Sequence, residues 1–199
     1  MTPPDPKADL LRYLQDARDA LLWKLEGLSE YDARRPLTPT GTNLLGLVKH
    51  VTFVELGYLG DTFARPSGAP SPWSAPAYAD DPNADMWATA DESRADVVAR
   101  YREAWAHADA TVRALPLDSL GRVPWWPEDN EITLHHALVR VTADTQRHAG
   151  HADILRETLD GAVGMREDSS NLPSDDPAWW KDYRERLERT AEEAARKAR

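Results

Sequence analysis

The stretch TLHHALVRVTADTQRHAGHADILRE, residues 133–157, decides what kind of chain this is. Thr133 stands before an apolar repeat as a helix cap, and Gly161 follows Leu159 as a stop, so the stretch reads as one long helix. Leu134, Ala137, Val141, Asp144, His148, His151 and Leu155 recur at spacings of three and four, which puts them on one face. An acid and two histidines interrupt the apolar stripe. A buried carboxylate without partners costs several kcal/mol or is forced to take up a proton, so something must compensate Asp144.

Outward from this helix the chain is a series of further helices. Leu10, Leu14, Ala17, Leu21, Leu25 and Leu28 mark a first helix between Asp9 and Leu28. A second begins at Thr42 or Asn43 and carries Leu47, His50, Val54 and Gly57 along a seam towards Phe63, with His50 inward at mid-helix. Residues 65–88 are dense in Pro, Ala, Ser and Asp and read as a loop long enough to run the length of a bundle. Thr89 and Glu92 have capping-box spacing ahead of a third helix through Val97, Tyr101, Ala104, Trp105, Ala108, Val112 and Leu115. After the interruption PLDSLGRVPWWPEDNE comes the opening helix, the fourth. Asp176-Pro177 then starts a C-terminal helix bearing Trp179, Trp180, Tyr183 and Leu187, and the last dozen residues read as a solvated, fraying tail. There is no period-two alternation and no internal repeat. The expectation is an all-α protein: a four-helix bundle over about 8–160 and a C-terminal helical appendage over about 161–199, in a single domain spanning 1–199.

Composition narrows the function. The 199 residues carry 24 Lys plus Arg against 34 Asp plus Glu, a formal charge of -10, which repels a phosphate backbone or an anionic membrane. No apolar run approaches the roughly 20 residues that span a bilayer, and MTPPDPKADL lacks the basic start and apolar core of a signal peptide, so a cytoplasmic protein is expected. With no cysteine in the chain, a metal must be held by nitrogen and oxygen, and any thiol in the chemistry comes from a small molecule.

A divalent cation would compensate Asp144. Asp144 and His148 are four residues apart, the reach at which two ligands share one ion, and His50 on a neighbouring helix supplies a third. Three protein ligands leave coordination positions open, as in a catalytic site. The alternative is that Asp144 pairs with Arg140 or Arg147 and the histidines sit half-exposed at the bundle rim. Gly150 inside the helix costs about 1 kcal/mol relative to alanine, which points to close packing or to a ligand. Of the other histidines, His107, His135 and His136 read as surface or capping residues. The loop tryptophans Trp73, Trp87, Trp125 and Trp126, with Trp179 and Trp180, read as pins for long segments. Trp125 and Trp126 precede the motif helix and are best placed to line a pocket mouth.

Two segments, NLLGLVKHVTFVE at 43–55 and the stretch at 133–157, resemble the DinB-like superfamily, in the branch of mycothiol-dependent maleylpyruvate isomerases and related thiol transferases. The resemblance covers most of residues 8–160. It implies a four-helix bundle with a long crossover, and a divalent metal, zinc or nickel, on His50, Asp144 and His148. Relatives more often carry glutamate at the position of Asp144. The shorter side chain makes His151 a substitute ligand or, preferably, a group behind the ligands or facing the substrate. The implied activity is a metal-dependent S-transferase or isomerase using a low-molecular-weight thiol such as mycothiol on an electrophile, with a homodimer left open. The alternatives are a non-catalytic metal- or small-ligand-binding stress protein of the same fold, or an interface protein built on the tryptophans. From charge alone, no binding to duplex DNA is expected in a gel shift at physiological ionic strength; salt-dependent retardation would contradict the reading.

Overall fold

The computed structural model describes residues 5–69, 80–166 and 169–198. Its helices are α1 (Pro6–Trp23), α2 (Glu30–Arg34), α3 (Leu44–Leu59), α4 (Arg94–Ala114), α5 (Leu134–Asp160) and α6 (Pro177–Lys197). A 3-10 turn, Asp61–Phe63, follows α3. Two short strands, β1 (Leu120–Arg122) and β2 (Glu131–Thr133), lie between α4 and α5.

Each long helix starts where a side chain can satisfy its free N–H groups. Asp5, Asn43, Ser93, Thr133 and Asp176 cap α1, α3, α4, α5 and α6 respectively. The α5 boundaries are those read from the sequence: Thr133 Oγ1 accepts from His136 N, and Gly161 ends the helix at φ +79°. Other expectations change. The first helix stops at Trp23 rather than Leu28, because the chain tightens into turns and passes through Gly27 at φ +72°, although Leu25 and Leu28 are still buried. Thr89 donates its N–H to Glu92 Oε2 as a capping box would, but the helix cap lies one turn later, on Ser93. The fraying tail is instead helix to Lys197, held by Glu192–Arg196 and Glu193–Lys197 pairs one turn apart. No residue of α6 is buried.

The direction of each helix follows from its contacts. Glu55, Gly60 and Arg65 meet Tyr101, His107 and Thr111 in rising order, so α3 and α4 are parallel. Tyr13 and Lys24 meet Gln146 and Asp153, so α1 and α5 are parallel as well. Lys7, Arg18 and Leu25 meet Leu115, Asp109 and Arg94 in falling order, and His50 and Tyr58 meet His148 and Arg140 likewise. Two helices therefore point each way. Because the neighbours α3 and α4 are parallel, the chain between them must return along the bundle, and this is the expected crossover. Of the loop read at 65–88, residues 70–79, including Trp73, lie outside the described residues.

The interruption before α5 contains a hairpin that the sequence did not announce. β1 and β2 pair antiparallel, Gly121 opposite Ile132. A Cβ on Gly121 would lie 2.6 Å from Thr62 O and 2.7 Å from the Phe63 ring, so glycine lets the hairpin close onto the 3-10 turn after α3. Its loop carries Trp125 and Trp126, whose rings meet Tyr58 edge-on at 5.0 and 6.1 Å.

The core has two apolar clusters. One gathers Leu21, Leu25, Leu45, Val48, Val97, Tyr101 and Leu155 with their neighbours; the other gathers Leu14, Val54, Leu59, Val112, Ile132, Leu138 and Val141 with theirs. Polar side chains lie between. Arg18, wholly buried, donates from Nε and Nη2 to Glu55 at 3.0 and 2.5 Å, and from Nη1 to Asp109 at 2.9 Å, tying α1 to α3 and α4. Glu55 is also wholly buried, and the loss of hydration pushes its carboxyl pKa up against the pull of Arg18.

Two stability measurements follow. Arg18→Met should cost about 3–5 kcal/mol in urea unfolding because it strands the Glu55 carboxylate, and Arg18→Met with Glu55→Leu should recover most of that loss. Gly150 faces open space, with no atom within 4 Å of the place a Cβ would take, so it serves neither close packing nor a neighbouring helix. Gly150→Ala should stabilise the chain by about 1 kcal/mol, read as a higher urea midpoint.

Candidate metal centre

Helix α3 is apolar almost all round, and within it only Lys49 and His50 escape full burial. His50 therefore sits where α3 faces a gap rather than the core. The gap is bounded by α5, where Asp144 and His148 project one turn apart. The buried stripe of α5 runs through Leu134, Ala137, Leu138, Val141, Thr145, Ala149, Ala152 and Leu155. This corrects the face read from the sequence: Asp144 and His148 flank the stripe, and His151 is exposed. A half-buried site with an open side follows, in place of an acid sunk in the core.

The ligand atoms of His50, Asp144 and His148 lie within 4.8 Å of one another. His50 Nε2 and His148 Nε2 are each 3.7 Å from Asp144 Oδ2, and the two rings meet edge-on at 4.8 Å. At 3.7 Å neither nitrogen makes a hydrogen bond, and Asp144 Oδ2 is buried without a donor. Three donors around one point, with a stranded carboxylate oxygen among them, suit a small dication. Ligands about 2.1 Å from a tetrahedral zinc stand about 3.4 Å apart, close to the two 3.7 Å spacings, while the widest spacing of the group, up to 4.8 Å, has further to close. Asp144 forms no ion pair with Arg140 or Arg147 among the described residues; the two histidines lie nearest it, and Arg140 adds a weaker charge interaction.

The imidazoles differ in what lies behind them. His50 Nδ1 is 2.7 Å from Oδ2 of Asp85, a carboxylate on the crossover that is 4 % exposed. A carboxylate behind a histidine fixes the ring and its tautomer, leaving Nε2 to face the centre. Asp85 is held there by the turn at 82–85, with Met86 N donating to Asn83 O and Asn43 Nδ2 donating to Met86 O. A Cβ on Gly46 would collide with Met86 O, so only glycine lets this turn settle on α3. Asp85 was not singled out by the sequence, where it is one acid among several in DDPNAD. Behind His148, the Nδ1 of His151 lies 3.4 Å from His148 Nδ1. The structure thus leaves His151 outside the converging group and beside one of its members.

Electrostatics separates the two inner histidines. Burial works against a charge on His50, but Asp144 and Asp85 outweigh it and raise its pKa to about 9. Burial and then the charge of His50 press His148 down to about 4. Asp144 is held below the usual carboxylate range by His50 and His148 despite burial. At neutral pH the cluster therefore carries one proton charge between two carboxylates, and a second neutral imidazole ready to donate a lone pair.

A cavity of about 170 Å³ opens beside the cluster, lined by His50, Val54, Tyr58, Trp125, Arg140 and Asp144. Trp125 thus takes the lining position expected of it, while Trp126 packs behind on Tyr58. The other histidines stand apart: His107 bonds to Arg65 O at 2.7 Å, and His135 and His136 are exposed in the first turn of α5.

No helix among the described residues is long and apolar enough to cross a membrane. No curated protein matches the chain. A family model described as mycothiol-S-transferase matches residues 9–161, which takes in all but the first turn of α1, α2 to α5, the hairpin and all three converging side chains. The chain belongs to the mycothiol-S-transferase family, a DinB-like family, as the segments at 43–55 and 133–157 suggested.

Proposed function

We propose that this protein is a metal-dependent S-transferase in which His50, Asp144 and His148 hold one divalent cation, zinc or nickel, and a small thiol such as mycothiol is joined to an electrophile beside it. The observation that carries the reading is the convergence of the three ligand atoms on a buried carboxylate oxygen that has no hydrogen-bond donor. The cation would supply Lewis acidity, lowering the pKa of a thiol so that a nucleophilic sulfur is available near neutral pH. A chain without cysteine needs its thiol from outside, in keeping with a family named for a thiol.

The chain's own residues bind and orient. His50 turns Nε2 to the centre because Asp85 holds Nδ1. His148 stays neutral and presents Nε2, its other nitrogen turned towards His151. His151, exposed at the rim, orients His148 and passes protons to solvent. Tyr58, Val54 and Trp125 wall one side of the cavity.

Purified wild type should hold close to one zinc or nickel ion per chain, measured by elemental analysis after dialysis against a mild chelator. Asp144→Ala and His148→Ala should lose the ion, and His151→Ala should keep it while thiol transfer weakens. Greater metal loss from His151→Ala than from Asp144→Ala would move the ligand set towards the C-terminal end of α5. Asp85→Asn should weaken metal affinity about 10–100-fold in a competition titration. Bound cobalt whose visible spectrum ignores added thiol would point instead to a binding protein without turnover.

A further inference from the structure

Arg140 is placed one turn before Asp144 on α5 and lines the same cavity. Its guanidinium carbon lies 5.0 Å from the centre of the Tyr58 ring and 5.1 Å from that of Trp126. Tyr58 comes from α3 and Trp126 from the hairpin loop, so separate lengths of chain meet around this one cation. The arginines that build the bundle are spent on protein acceptors: Arg18 on Glu55 and Asp109, Arg94 on Glu30 and two carbonyls, Arg156 on Asp160 and Lys24 O. Arg140 is not. Among the described residues it forms no ion pair and donates no hydrogen bond; its ring contacts are aromatic faces, and its charge is also felt by Asp144 one turn on.

Those faces explain what Arg140 is fit for. A guanidinium laid on aromatic rings loses little further freedom on binding, is weakly hydrated, and keeps its planar fork of N–H donors available. The acceptor that matches this fork is a carboxylate, taken through two parallel hydrogen bonds. A volume of about 170 Å³ falls below that of a pocket enclosing a whole drug-sized molecule, so it takes one end of a substrate. We propose that Arg140, braced by Tyr58 and Trp126, recognises a carboxylate on the electrophile, which makes the acceptor of the thiol an acidic small molecule. The proposal rests on the reading of the adjacent centre as the place where the thiol is held, since the cavity then receives its reaction partner.

The test uses the full chain stripped of metal, so that no carboxylate can bind by coordination and a failure of the metal assignment leaves the result unaffected. Benzoate and its neutral counterpart benzamide are titrated against wild type, Arg140→Lys and Arg140→Gln, with binding followed by calorimetry or by ligand-observed NMR. A hydrogen-bonded charge pair corresponds to about a 10–100-fold preference. Wild type should favour benzoate by at least about tenfold, Arg140→Lys should retain part of the preference, and Arg140→Gln should abolish it with an unchanged urea midpoint. Equal affinity for the two probes, no measurable binding of benzoate, or a preference that survives Arg140→Gln would overturn the proposal. If the preference is found but zinc-loaded chains show no thiol transfer, the carboxylate site stands and the catalytic reading falls.

Discussion

The arrangement of this bundle depends on the buried pair of Arg18 and Glu55. Helix α3 is buried almost all round, so its apolar residues do not choose which side faces which neighbour. Glu55 makes the choice, because a carboxylate with no access to water needs a cation beside it, and it meets the guanidinium of Arg18. With Glu55 turned to α1 and α4, a residue five positions earlier lies about 140° round the helix, at 3.6 residues per turn. That residue is His50, and the direction left to it is towards α5. One ion pair on the other side of α3 thus turns His50 towards α5.

Both polar groups occupy the same level of the bundle, between the two apolar clusters. The level is expensive to build, since each charge there has shed water, and the chain offsets this in two ways. On the α1 side the charges are matched inside the protein, with Asp109 and Gln15 taking the remaining donors of Arg18. On the α5 side they are not matched: Asp144 keeps an oxygen without a donor, and its side chain stays 35 % exposed. The closed cluster gives register and the open one leaves binding capacity, a division that fits a rigid scaffold carrying one reactive edge.

The sequence revealed the long-range plan where the physics is local. Thr133, Gly161 and Asn43 act within one helical turn, so their caps and the helices they bound could be placed from spacing alone. The pairing of Asp144 with His148 is a one-turn relation, and the crossover between α3 and α4 is what the family resemblance implied, with a loop long enough to allow it. Features made by distant contacts stayed hidden. β1 and β2 have three residues each, too few to show an alternation, and owe their place to Gly121 against Phe63. Asp85 differs from Asp80 and Asp81 only in the turn that aims it. The stripe of α5 was read one strip out of place because Thr145 and Ala149, small and not strongly apolar, carry the true contact while the more conspicuous His151 faces water. Gly150 carries no such contact: it is exposed, and its place in the helix has no packing reason.

The position of the three converging side chains along the chain has a consequence for biosynthesis. His50 leaves the ribosome early, whereas Asp144 and His148 follow only after the crossover, α4 and the hairpin have been made. Until α5 can dock, a nascent chain offers a cation a single imidazole and a carboxylate behind it, a poor competitor for any metal-handling molecule in its surroundings. An ion taken up by these residues would therefore enter after translation, through the exposed flank of α5. The identity of any such ion would then be set by a finished scaffold, and by whatever its surroundings supply at that moment.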